Sequence, residues 1–188
     1  MNQISGKKIL KPNEIPKTLL KDCMEAAVKE LYSKDLYLIC NKPDLYNGDE
    51  YHVSERGIVF RLGIYFEKYL YNYKFFHGYN LDAEYNRNMY DVKTLSVLGI
   101  VKAVCPDLII HQRGNNNFNL IVIEVKTWWN NCEKDISYDI EKLEKFISLN
   151  EIYKYEYGLS LIFKQTQVEY NWISQNKEKC CKYSITYN

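Results

Sequence analysis

The sequence predicts an α/β fold: a mixed four-stranded β-sheet flanked by helices, with an extra helix before it and a β-hairpin after it. Three observations point there. Apolar residues recur every three to four positions over 14–33, 54–73 and 137–149, the period of a helix that buries one face. Alternating or continuous apolar runs of strand length occupy 81–87, 104–112, 119–126 and 157–163. Turn-forming residues punctuate these runs, above all at Arg113-Gly-Asn-Asn-Asn117. The order helix–β–β–β–helix–β sets helix 54–73 on one face of the sheet and helix 137–149 on the other.

Each element has its own signal. Residues 1–13 read as a polar arm. In 14–33, Ile15, Leu19, Cys23, Ala27 and Leu31 recur every four, and Pro16 suits a first helical turn. Asn41 to Asp49 is turn-rich and separates this helical extension, 1–50, from the core, 54–163. Ser54 is placed as an N-cap for the next helix, whose stripe is Val59, Leu62, Phe66 and Leu70. Leu81 to Arg87 reads as a strand, and 88–103 as a connector without a defined period. The third helix carries Ile140, Leu143, Phe146 and Ile147, with Asp139 and Lys142 beside them. Tyr157 to Phe163 is apolar enough to be buried on both faces. Val168 to Ile173 and Tyr183 to Tyr187 alternate and form the terminal hairpin, 164–188. The 188 residues make one domain.

Composition narrows the classes. The formal net charge of +1 gives no overall basic field of the kind that announces a non-specific nucleic-acid binder. Eighteen tyrosines suit core packing as well as base stacking. The six cysteines show no zinc-ligand spacing. Cys23 and Cys105 fall in apolar patterns and are expected in the core. The thiols are expected reduced and the protein cytoplasmic, with no secretory signal at the polar N-terminus and no apolar run long enough to span a bilayer.

Chemistry concentrates around Pro106-Asp107 and Glu124-Val125-Lys126. Alternation along the second strand puts Glu124 and Lys126 on one face, and an antiparallel hairpin brings Asp107 beside Glu124. Two carboxylates that close repel unless a cation intervenes. Mg²⁺, or Mn²⁺ in its place, suits oxygen ligands and leaves positions for phosphate. Such an ion activates water and polarises a phosphodiester, while Lys126 holds the water or offsets developing charge. The same pattern also fits a plain hairpin with a turn Asp and a surface Glu/Lys pair. Glu55 lies on the apolar stripe of helix 54–73, where it either joins a metal site or sits exposed in the first turn, favoured by the helix dipole. His111 and Arg113 share strand parity with Asp107 and are candidates to touch phosphate, as is Lys142. Lys145 would extend that patch. Trp128-Trp129 suit base stacking, or a core or interface role for at least one of them.

The segment 54–163 resembles the PD-(D/E)XK nuclease superfamily, also called restriction-endonuclease-like, whose motif matches Pro106-Asp107 and Glu124-Val125-Lys126. Within that superfamily it looks like a group of bacterial and phage proteins. Ser54-Glu55-Arg56-Gly57, Glu84-Tyr85-Asn86-Arg87, Pro106-Asp107 through His111-Gln112-Arg113-Gly114, Glu124 to Lys126, and Asp139 to Leu143 carry the likeness. Ser54 and Gly57 depart from the Asn and Ser of that pattern. The resemblance implies a restriction-endonuclease-like core with Asp107, Glu124 and Lys126 catalytic. It adds a first-helix acid, Glu55, to the metal-site residues, with Glu84 as the competitor.

The expected function is therefore a Mg²⁺-dependent nuclease acting on DNA. The alternative is a catalytically inactive module on the same fold that binds nucleic acid or another protein. A homodimer is compatible with either, and no membrane partner is expected.

Overall fold

The computed structural model of the protein describes residues 9–40, 52–97, 99–176 and 180–187. The expected turn at Asn41–Asp49 and most of the N-terminal arm lie outside the described residues.

Helix α1, Lys17–Lys34, buries Leu20, Cys23, Met24, Ala27, Val28 and Leu31, the three-and-four spacing of one helical face. That face packs on helix α2, Glu55–Leu70. Three strand-like pieces follow: β1, Asn80–Ala83; a small hairpin of β2, Arg87–Asn88, and β3, Asp91–Val92; and a second hairpin of β4, Thr94–Val97, and β5, Ile100–Ala103. Strands β6, Leu108–Gln112, and β7, Asn115–Thr127, form the expected antiparallel pair. Helix α3, Glu133–Ile147, leads to β8, Tyr157–Phe163, and the chain ends in β9, Gln167–Ser174, and β10, Cys181–Thr186.

The central sheet is mixed. Its order is β1-β6-β7-β8-β9-β10, with β7 and β8 parallel and the other neighbours antiparallel. Successive side chains serve opposite faces. Leu108, Ile110, Ile121, Ile123 and Val125 join α1 and α2 in the larger core, while Ile109 and Val122 join Leu143, Phe146 and Ile147 of α3 in the smaller one. Glu124 and Lys126 share the parity of Val122 and so face α3.

Several boundaries differ from the sequence expectation. The sheet has six strands among the described residues, because the terminal hairpin joins it: β8 is buried along its whole length and needs a neighbour on each side. The strand expected at 81–87 stops at Ala83, since Glu84 takes a left-handed φ of 47°. Cys105, Pro106 and Asp107 precede β6, as proline offers no N–H to the ladder. Cys105 is consequently exposed, against the expected core position. The turn after β6 is only Arg113-Gly114, and Gly114 supplies its left-handed φ of 73°. Helix α3 starts four residues early, at Glu133, with acids in its first turn that suit the helix dipole. Pro16 is the N-cap of α1 rather than a first-turn residue, and Ser54 stands at the N-cap of α2 without a side-chain hydrogen bond. No helix among the described residues is long and apolar enough to cross a membrane.

Candidate active site

The site sits where β7 runs out of the sheet between α2 and α3. Leu108 pairs with Ile123, so the next step of the register sets Asp107 opposite Glu124. One Asp107 oxygen, Oδ2, accepts a hydrogen bond of 2.7 Å from the Val125 backbone N–H. Burial pushes the Asp107 pKa up to about 6, even though the Val125 N–H, Lys142 and Lys126 oppose the rise. Glu124 is 2% exposed. Its Oε2 receives the Lys142 ammonium at 2.6 Å, while Oε1 is buried with no hydrogen-bond partner. Burial first, then repulsion from Asp107 and Asp139, holds the Glu124 carboxyl well above the usual range despite Lys142.

Asp139, on the first half of α3, ties the two lysines together. Its Oδ2 lies 3.0 Å from Lys126 Nζ and its Oδ1 lies 3.3 Å from Lys142 Nζ. Burial alone would lower the Lys126 pKa, but Asp139, Glu55 and Asp107 outweigh it and keep the ammonium charged. Glu55 comes in from the first turn of α2: Oε2 accepts from Thr127 Oγ1 at 3.2 Å, and Oε1 is 4.0 Å from Lys126 Nζ. Burial raises the Glu55 pKa, partly offset by Lys126. Glu55 thus stands beside Lys126. Glu84, the competitor, points to the surface and pairs with Arg56 at 2.7 Å.

The cluster holds four carboxylates, Glu55, Asp107, Glu124 and Asp139, against two ammonium groups. Fully ionised it carries an excess of two negative charges. Among the described residues no three acidic, histidine or cysteine side chains converge as a ready metal cage. A Mg²⁺ ion does not require one, because it keeps several waters and binds through one or two carboxylates plus substrate phosphate. The orphaned Glu124 Oε1 and the facing Asp107 fit such an ion.

The other sequence candidates lie elsewhere. His111 Nε2 is 2.9 Å from Asp82 Oδ2, and Arg113 Nε donates to the same oxygen at 2.8 Å, with a second guanidinium bond to Oδ1. Burial would raise the Asp82 pKa, yet these two partners hold it well below the carboxylate range. Arg113 is six residues from Asp107, roughly 20 Å of extended chain, so the two do not share one pocket. His111 is buried under Tyr85, whereas the Arg113 side chain is largely exposed. Lys142, expected at a phosphate, is instead buried between Glu124 and Asp139. Trp128 donates from its indole nitrogen to the Ile39 carbonyl at 2.9 Å, and Trp129 packs on the larger core with His52 stacked on it. Sequence reasoning misses the bridging role of Asp139, although the residue shows both in its i, i+3 pairing with Lys142 next to an apolar stripe and in the Asp139 to Leu143 motif.

Comparison with known proteins adds no relative: no family model, curated protein or solved structure matches the chain.

Proposed function

We propose that the protein is a Mg²⁺-dependent nuclease of restriction-endonuclease-like type, acting on DNA. The observation that carries this reading is the pair Asp107 and Glu124, facing each other across β6 and β7 with a buried Glu124 oxygen left unpartnered and Lys126 two residues further along the same face. Asp107 and Glu124 would hold the divalent ion. When bound, that ion activates a water and polarises the scissile phosphodiester. Lys126 donates from Nζ to the attacking water or to a non-bridging phosphate oxygen. Asp139 keeps Lys126 protonated and aimed, and Glu55 with Thr127 limits its sideways movement. The raised carboxyls mean that ion binding releases protons.

The test is cleavage of plasmid DNA, single-stranded DNA and RNA with Mg²⁺ or Mn²⁺ against a chelator control. The expected result is metal-dependent cleavage of DNA that falls about a hundredfold or more in Lys126→Ala. No cleavage of any substrate, or cleavage unchanged in Lys126→Ala, contradicts the reading. A non-catalytic binding module is the second reading. It is favoured by one observation: both ammonium groups of the cluster are already paired with carboxylates. Binding without cleavage would support it.

A further inference from the structure

We propose that Lys142 is the built-in counter-ion of this site, displaced from Glu124 toward Asp139 by the divalent cation. The inference rests on the cation reading above and adds a competing residue to it. Lys142 Nζ lies 2.6 Å from Glu124 and 3.3 Å from Asp139, and its charge also acts on Asp107. One ammonium therefore sits on Glu124, a carboxylate that a dication would use. In surroundings this buried, a dication and an ammonium sharing Glu124 repel strongly.

The geometry supplies a route for exchange. Glu124 Oε1 has no partner and offers the incoming ion a first ligand while Lys142 still holds Oε2. Asp139 lies three residues before Lys142 on α3, so the ammonium can move wholly onto it without becoming an unpaired buried charge. Glu124 then turns its second oxygen, or its full negative charge, to the ion. Lys142 thereby sets the cation affinity below what the carboxylates alone would give.

Calorimetric titration of Mn²⁺ into the full chain without nucleic acid tests this. The proteins are wild type, Lys142→Met, Lys142→Gln and Asp107→Asn. Both Lys142 variants are expected to bind Mn²⁺ about tenfold more tightly than wild type. Glutamine keeps a polar group at Glu124, so Lys142→Gln decides the matter if Lys142→Met does not fold. Equal or weaker binding by Lys142→Gln overturns the proposal and makes Lys142 a holder of Glu124 rather than a competitor. Undiminished binding by Asp107→Asn overturns the cation site itself, and the proposed function with it. Absence of Mn²⁺ binding by every protein at millimolar concentration does the same.

Discussion

Glu124 is a carboxylate at the end of an apolar strand, with one oxygen on an ammonium and the other on nothing. A buried, unpaired carboxylate oxygen is destabilising, and groups in such a state cluster at functional sites. Asp107 shares the strain, and its effect on stability has a definite sign. Folded, it gives up its proton near pH 6; unfolded, near about 3.9. The folded chain holds the extra proton between those values, so stability falls as pH rises through that window and stays lower above it. Asp107→Asn removes the penalty while its amide oxygen still accepts from Val125. In chelator, the variant should be more stable than wild type by about 1–3 kcal/mol at pH 7, and the gap should close toward pH 4. Urea unfolding across pH 4–8 checks this; parallel curves would refute it.

At the scale of elements, the segment between β1 and β6 shows how the smaller core is closed. Lys93, just before β4, is 2% exposed. Its ammonium lies 5.3, 5.6, 5.4 and 5.5 Å from the ring centres of Tyr85, Phe146, Tyr153 and Tyr155. It also donates to Tyr155 Oη at 3.3 Å. Attraction to four ring faces holds the segment against α3. Burial nevertheless pushes the Lys93 pKa down to about 8. Between pH 8 and about 10.4 the unfolded chain keeps a proton that the folded chain has lost, so this group makes stability rise with pH there. Lys93→Met, which fills the same cage without charge, should abolish that rise relative to wild type. Thermal melts of both proteins from pH 7 to 9.5 would show it, and curves of equal slope would contradict it.

That cage was not legible in the sequence. A lone lysine reads as a surface residue, and strands of two to four residues with exposed Val92, Ile100 and Val101 carry no period. Helices α1 and α2 and strand β8 were legible because their apolar spacing answers directly to burial. The hairpin of β9 and β10 was visible in its alternation, yet its union with the central sheet was not, since the same pattern suits a free hairpin. Within the site, alternation along β7 was enough to bring Glu124 and Lys126 to one face. The bridging of Lys126 and Lys142 by Asp139 depends on how α3 lies on the sheet, which no local spacing records.

For the molecule as a whole, a net charge of +1 and an acidic candidate site mean that the proposed nucleic-acid binding would rest on scattered groups. Arg113 is the sequence candidate that keeps an exposed side chain, although Asp82 holds it from behind. Binding should be modest and strongly salt-dependent. Arg113→Ala should weaken it for all sequences alike and reduce the salt slope by about one. Fluorescence anisotropy on two unrelated DNA duplexes across a salt series checks this; a loss confined to one duplex would mean that Arg113 reads a base edge. The proposed divalent-cation site at Asp107 and Glu124 can be seen by anomalous scattering from a Mn²⁺-soaked crystal. One strong peak is expected at about 2.1 Å from an oxygen of each carboxylate, with Lys142 moved off Glu124. No peak there, with Lys142 still seated on Glu124, would contradict it.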